Sequence, residues 1–266
     1  MIQRIVALLL LSVAATQSQT PTRPEFDVAT IRPVKTLGGV SMGAGDGGAS
    51  EHNVTLKNLM TVAYRIQDFQ ISGGPGWAGS DRFDVEAKAA NPKAGPDQVR
   101  LMLQSLLEDR FELKLHRETK ESSIYALAVD KGGLKMKLSA DQTSATVNGP
   151  SPEGTLNRGN IRIGNGSLIG NAVTMPLFVR MLSQRLDRTV VDMTNLTGRF
   201  DLRLQWTPDV GETPFSPGGD LLPPAADSSS PSIFAAIQEQ LGLKLESQKG
   251  PVEMLVIDSV EKPSAN

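Results

Sequence analysis

Residues 81–85 read DRFDV, and residues 198–202 read GRFDL. Both stretches carry the triplet Arg-Phe-Asp followed by an apolar residue, and Phe83 lies 117 positions before Phe200. Apolar and polar residues alternate in each stretch, which is typical of a strand with one buried face. The recurrence predicts that one structural module is present twice.

Two further blocks recur in the same order. The sequence NVTL at 53–56 matches AVTM at 172–175, and FELKL at 111–115 matches LGLKL at 241–245. The last spacing is longer because a proline-rich stretch, 207–231, forms an insertion in the second copy. Blocks that match in one order at nearly constant spacing predict an internal duplication.

Apolar residues at helical spacing predict two helices in each copy. Asp97 and Thr174 are candidate N-caps, and a fourth helix is predicted to start at Ser232. The four predicted stripes are Leu56, Leu59, Met60 and Ala63; Val99, Met102, Leu103, Leu106 and Leu107; Met175, Phe178, Leu182 and Leu186; and Ile233, Phe234, Ile237 and Leu241. The expected fold is α+β, with two tandem β-α-β-β-α-β-β modules, each packing two helices on one small mixed sheet.

Residues 1–19 are predicted to be a signal peptide. Arg4 precedes an apolar run at 5–13, and small residues favour cleavage between Ala15 and Gln19. The run is shorter than the roughly 20 residues that a transmembrane helix needs. A retained N-terminal anchor is the alternative. We expect a periplasmic or secreted protein whose mature chain has no membrane span.

The remaining chain is divided by composition. The first module is predicted at 20–137, a linker rich in small and polar residues at 138–160, and the second module at 161–266 with its insertion at 207–231. The sequence has no cysteine, which excludes disulfides and thiol catalysis, and its net charge of −2 gives no general attraction to nucleic acid.

The sequence predicts no catalytic residue, no metal site and no cofactor. Its two histidines, His52 and His116, are far apart, and no Gly-x-Ser-x-Gly or phosphate-binding loop is present. Asp84 and Glu86 share one strand face, so an acid–base pair for glycoside hydrolysis stays open. A plain polar face is the alternative, because Arg203 replaces Glu86 in the second copy.

Four residues are candidates for binding. Trp77 lies in the Gly/Pro-rich stretch 73–79, where an aromatic side chain could anchor a partner or cover its own core. Tyr64 is expected to pack near it. Arg82 and Asp84 complete the candidate site, although their recurrence equally suggests a structural ion pair within each module.

The sequence also resembles a known family. The stretches that carry the resemblance include FDVATIRP at 26–33, GGPGW at 73–77, DRFELKLHRET at 109–119 and KGPVE at 249–253. Together they are similar to a large family of exported proteins of unknown function from acidobacteria, over essentially the whole mature chain. This resemblance implies no established activity, but some relatives are similar to the extracytoplasmic parts of metallopeptidase sensors, which implies a sensory or ligand-binding role.

Each half also resembles, more loosely, the short N-terminal domain of secretins and TonB-dependent receptors, which mediates protein contacts. The leading hypothesis is therefore an exported, non-enzymatic binding or sensory protein that contacts a protein or envelope component through a sheet edge or the seam between modules. The alternatives are a secreted hydrolase on an envelope or polysaccharide substrate and a structural envelope component.

Overall fold

A computed structural model describes residues 23–34, 41–45, 47–140, 142–143, 159–164, 166–208 and 231–263. The expected signal peptide and most of the expected linker and proline-rich insertion lie outside the described residues. The described part of the chain is mixed α/β, with four helices and three four-stranded sheets. The predicted mixture of helices and strands is confirmed.

The described part of the first half contains two helices and six strands. Its strands are β1 (Val28–Val34), β2 (Ser41–Gly45), β3 (Gly48–Val54), β4 (Ile71–Gly73), β5 (Arg82–Lys88) and β6 (Lys114–Val129). Its helices are α1 (Leu56–Tyr64) and α2 (Pro96–Arg110), with short 3-10 turns at Asp68–Gln70 and Gly76–Gly79.

The second half repeats this order. Its strands are β7 (Lys137–Leu138), β8 (Asn160–Gly164), β9 (Ser167–Thr174), β10 (Val190–Asp192), β11 (Arg199–Gln205) and β12 (Leu243–Ser259). Its helices are α3 (Met175–Arg185) and α4 (Ile233–Ala236), and α4 continues as a π-helical turn, Ile237–Leu241.

Local sequence explains where the helices begin. Thr55 caps α1 by accepting a hydrogen bond from the Asn58 N–H. Ser232 caps α4 by accepting from the Ala235 N–H, at the position where the sequence predicted this helix to start. Asp97 was expected to cap α2, but the N-cap of this helix is Gly95. Asp97 lies in the first turn, where its charge favours the helix dipole.

Thr174 occupies the N-cap position of α3, but its side chain makes no capping hydrogen bond. The predicted apolar stripes are largely buried, with Met102 and Leu186 half-buried and Phe234 exposed. Helical periodicity therefore located the helices correctly, whereas the identity of a cap depends on the loop that precedes it.

The two flanking sheets have the same strand order. The first is β1-β5-β3-β2 and the second is β7-β11-β9-β8, and every pair in both is antiparallel. Each contains an irregularity where the repeated Arg-Phe-Asp strand pairs with its neighbour, between Glu51 and Val54 in β3 and between Phe200 and Leu202 in β11.

The central sheet contains strands from both halves, in the order β10-β6-β12-β4. The long strands β6 and β12 pair antiparallel along nearly their whole length. The short strand β4 of the first half pairs parallel with β12 at residues 255–257, and β10 of the second half pairs parallel with β6 at residues 125–127. Each short strand is thus paired with the long strand of the other half.

The long strands also pass from the apolar core of one half into that of the other. Strand β6 begins with Leu115 against the core of the first half and ends with the buried Leu127 in the core of the second. Strand β12 begins with the buried Leu243 in the second core and ends with Leu255 and Ile257 in the first. Each apolar core is therefore completed by a strand from the other half.

This arrangement differs from the expected one, in which each half packs its helices on a sheet of its own. Local patterns located the apolar ends of β6 and β12, but they do not specify which strand lies beside them. A strand rises about 3.3 Å per residue, so strands of 16 and 17 residues are long enough to run from one core into the other.

Candidate functional site

Arg82 and Asp84 hold the backbone of one residue, Asn53. Asn53 has a φ of 56°, in the left-handed region that non-glycine residues seldom adopt. The Asn53 N–H donates to Asp84 Oδ1 at 2.8 Å, and the Asn53 carbonyl accepts from Arg82 Nη1 at 2.8 Å. Both side chains therefore stabilise the irregularity at the end of β3, just before α1 begins.

The second half contains the same clamp. Ala172 has a φ of 50°, its N–H donates to Asp201 Oδ1 at 2.9 Å, and its carbonyl accepts from Arg199 Nη1 at 3.1 Å. In each half the arginine and the aspartate bind one backbone residue, where the sequence had suggested an ion pair between them. This explains the repeated Arg-Phe-Asp triplet and gives Arg82 and Asp84 a structural task.

Trp77 lies in the 3-10 turn Gly76–Gly79 and is half-buried against the core of the first half. Lys262 Nζ lies 5.6 Å from the centroid of its ring, within range of a cation–π interaction. The position of Trp77 agrees with the alternative that it covers its own core.

Tyr64 lines an open cavity of about 550 Å³, which we call the Tyr64 groove. The N-terminal segment, the end of α2 and the start of β6 meet there. Its lining residues are Arg23, Tyr64, Glu108, Asp109, Glu112, Leu113, Lys114 and Leu115. The site therefore combines an aromatic and aliphatic surface with charges of both signs.

Arg23 fixes the N-terminal segment to one side of the groove. Its guanidinium donates to Ser105 Oγ at 3.0 Å and to the Ser105 carbonyl at 2.9 Å, and it forms ion pairs with Glu108 at 2.9 Å and Asp109 at 2.8 Å. Sequence reasoning identified Tyr64 but missed Arg23 and Glu108. These residues come together only through tertiary packing, so no local pattern marks them.

The Tyr64 hydroxyl lies in a charged environment. Burial, reinforced by the Glu108 carboxylate, raises its pKa to about 12, and the opposing effects of Arg117 and Arg23 are smaller. The hydroxyl therefore keeps its proton at physiological pH and can both donate and accept a hydrogen bond.

A second cavity, of about 390 Å³, lies next to the Tyr64 groove and shares Asp109 with it. Phe26, Met102 and Leu106 line it between β1 and α2. The N-terminal segment of the described chain thus contributes to both cavities, through Arg23 in one and Phe26 in the other.

The outer face of the first sheet carries a polar cluster that sequence reasoning recognised only in part. His52 Nε2 lies 3.2 Å from Glu86 Oε1 and 3.2 Å from Ser50 Oγ, and His52 Nδ1 lies 3.7 Å from Asp84 Oδ1. Nucleophilic catalysis requires a serine that gives its proton to the imidazole. Here Ser50 donates to Glu86 at 2.8 Å, and Asp84 is already bound to Asn53.

Within the described ranges, no group of three or more histidine, cysteine or acidic side chains is arranged to hold a metal ion. Searching the same residues finds no helix long and apolar enough to cross a membrane.

Comparison with known proteins identifies one family. A family model described as a protein of unknown function, DUF3738, matches residues 57–260, which is more than half of the 266-residue chain. No curated protein and no solved structure matches the chain significantly. The match extends from α1 to the end of β12 and so includes both halves of the fold. The chain belongs to this family of proteins of unknown function.

Proposed function

We propose that the chain is an exported, non-enzymatic binding or sensory protein that holds a segment of a protein or envelope component in the Tyr64 groove. The observation that carries this proposal is the groove itself, an open cavity of about 550 Å³. Binding sites of this kind combine apolar surface with a few polar groups that fix orientation.

The lining favours a polypeptide segment over a ligand with charge of one sign only. The half-buried side chains of Tyr64 and Leu115 offer apolar surface for a side chain of the ligand. Negative charges of a ligand can pair with Arg23 and Lys114, and positive charges can pair with acidic side chains such as Glu108.

All the residues that line the groove belong to the first half. The repeat aligns Tyr64 with Ser183 of α3. Ser183 is buried, and its hydroxyl donates to the Val179 carbonyl at 2.9 Å and accepts from the Val190 N–H at 2.9 Å. Ser183 therefore serves the fold, while Tyr64 faces a cavity.

The proposal includes the finer description of the fold. We infer two tandem copies of one module, supported by the common strand order of the flanking sheets and the common arginine–aspartate clamp. The resemblance of each half to a short domain of secretins and TonB-dependent receptors favours a protein partner. The predicted signal peptide favours a partner in the cell envelope.

A charge reversal at the rim of the groove tests the proposal. The chain with Lys114→Glu is immobilised and exposed to periplasmic and envelope fractions, and its retained partner is compared with that of the wild type. We expect the apparent affinity to fall about tenfold, because the groove loses one of its two positive charges.

Lys244→Glu is the matched control, since the repeat aligns Lys244 of β12 with Lys114 of β6. We expect this variant to retain the partner like the wild type, and both variants to have an unchanged melting temperature. If the wild type retains nothing, or if both variants lose the partner equally, the groove is not the binding site.

A further inference from the structure

Over most of its length, the edge of β6 that faces away from β12 has no paired strand in the part of the chain that the structure describes. Among the described strands, only β10 pairs with this edge, and it covers residues 125–127. Residues 115–123, which we call the open edge, include exposed side chains at Arg117, Thr119 and Lys120. Unpaired backbone groups along such an edge can pair with another strand.

Alternate residues of the open edge direct their backbone groups outward. At its end, the Tyr125 N–H donates to the Thr189 carbonyl at 2.9 Å, and the Leu127 carbonyl accepts from the Met193 N–H at 2.8 Å. Backbone direction alternates along a strand. The same outward direction therefore belongs to Arg117, Thr119 and every second residue of the open edge.

The corresponding edge of β12 is less able to accept a strand. The Glu253 carbonyl on that edge already accepts a hydrogen bond from Gln70 Nε2 at 2.8 Å. Pro251, two residues earlier and therefore facing the same way, has no N–H to donate. The repeat aligns Pro251 with Glu121 of β6, which has an N–H. Of the two long strands, β6 thus offers the more complete ladder.

The charges of the open edge are self-complementary. Its central residues are Arg117, Glu118, Thr119, Lys120 and Glu121. If a second copy pairs antiparallel about Thr119, each arginine at 117 faces a glutamate at 121, and each glutamate at 118 faces a lysine at 120. Opposite charges directly across an antiparallel pair are favourable.

We propose that the partner of the open edge is a second copy of this chain, paired antiparallel about Thr119. The outward backbone groups allow registers that differ by two residues. A shift of the second copy by two residues in one direction places Glu118 opposite Glu118. The same shift in the other direction places Lys120 opposite Lys120. Like charges in these positions are unfavourable, so the charge pattern selects one register.

Within one chain, charged side chains of the open edge already form ion pairs. When two copies pair, these side chains exchange their partners for residues of the second copy. Lys120 Nζ lies 2.8 Å from Glu118 Oε2, and Arg117 forms an ion pair with Glu253. The attraction between the copies comes from the backbone ladder, and the side chains set its register.

Pairing of two copies extends the central sheet across the dimer. It also places Ser123 of the second copy opposite Leu115, which lines the Tyr64 groove. Each groove of the dimer is then bordered by both copies. This inference goes beyond the proposed binding function, because the dimer can form whether or not the groove holds a ligand.

Charge reversals test the inference by sedimentation velocity over a series of protein concentrations. The purified wild-type chain is expected to dimerise. Glu118→Lys and Lys120→Glu, each alone, are expected to weaken dimerisation about tenfold, because each places like charges opposite each other. An equal mixture of the two variants restores opposite charges at both positions and is expected to dimerise like the wild type.

A backbone variant provides a second test. Thr119→Pro removes an outward N–H at the centre of the ladder and is expected to abolish the dimer. Lys249→Pro, at the aligned position of β12, is expected to leave it intact. Circular dichroism confirms folding of each variant. The inference is overturned if the wild type is a monomer throughout, if the dimer is indifferent to charge reversal, or if the mixture does not recover it.

Discussion

Glu51 is a buried acid in the inward face of β3. The residue is 1% exposed, and its Oε2 atom has no hydrogen-bond partner among the described residues. Burial, reinforced by the carboxylate of Glu86, raises its pKa from 4.5 to about 8. The folded protein therefore holds a proton on Glu51 at neutral pH, whereas the unfolded chain releases it.

This shift makes stability depend on pH. Between about pH 4.5 and pH 8 the folded state binds the extra proton, so the free energy of unfolding falls as pH rises, by up to about 1.4 kcal/mol per unit. Glu51→Gln, which has no proton to lose, is expected to unfold at higher urea concentration than the wild type near pH 8 and to differ little near pH 4.5. An equal difference at both pH values would contradict the assignment.

At the scale of single elements, both halves contain the arginine–aspartate clamp. It stabilises a left-handed residue at the end of β3 and of β9, where the chain turns into α1 and α3. A left-handed alanine is strained by about 1 kcal/mol or more, so Ala172 depends on its clamp more than Asn53 does. The clamp is therefore a device for starting a helix directly after a strand.

Removal of the clamp should be measurable in both halves. Asp84→Ala is expected to lower the free energy of unfolding by about 1 kcal/mol, because a backbone N–H loses its charged acceptor. Asp201→Ala is expected to lower it further, because Ala172 is the more strained left-handed residue. Asp84→Asn keeps an acceptor oxygen and is the matched control, with a smaller loss expected. Equilibrium urea unfolding distinguishes them, and equal stability of Asp84→Ala and the wild type would refute the structural task of the clamp.

Local patterns in the sequence predicted the helices well and the strands incompletely. The apolar stripes of α1 and α2 have helical spacing and are buried apart from the half-buried Met102. The middle of β6, by contrast, reads HRETKESS and shows no apolar alternation, since this part of the strand is largely exposed to solvent. Its continuity depends on pairing with β12, which is a long-range contact that no local pattern encodes.

The candidate site was predictable to a similar extent. Tyr64 was a candidate because it was expected to pack near Trp77, and it lines the Tyr64 groove. The burial of Glu51 was not foreseen, because the irregularity between Glu51 and Val54 interrupts the alternation of β3. Arg82 and Asp84 were recognised by their recurrence, but only the structure shows that both bind backbone.

At the scale of the whole molecule, the two halves are joined by reciprocal exchange. Leu127 of β6 is buried in the second core, and Leu255 of β12 is buried in the first. If either half unfolded alone, it would remove a strand from the core of the other half and expose apolar surface there. We therefore expect the two halves to fold as one cooperative unit.

The two tryptophans allow a direct test, because Trp77 belongs to the first half and Trp206 is buried in the second. Trp77→Phe leaves a fluorescent probe in the second half only, and Trp206→Phe leaves one in the first. Urea unfolding of each variant is followed by tryptophan fluorescence and by far-ultraviolet circular dichroism. We predict that, within each variant, the fluorescence and circular dichroism signals have the same urea midpoint. A fluorescence midpoint at a lower urea concentration than the circular dichroism midpoint would mean that one half unfolds by itself, which would contradict the cooperative fold.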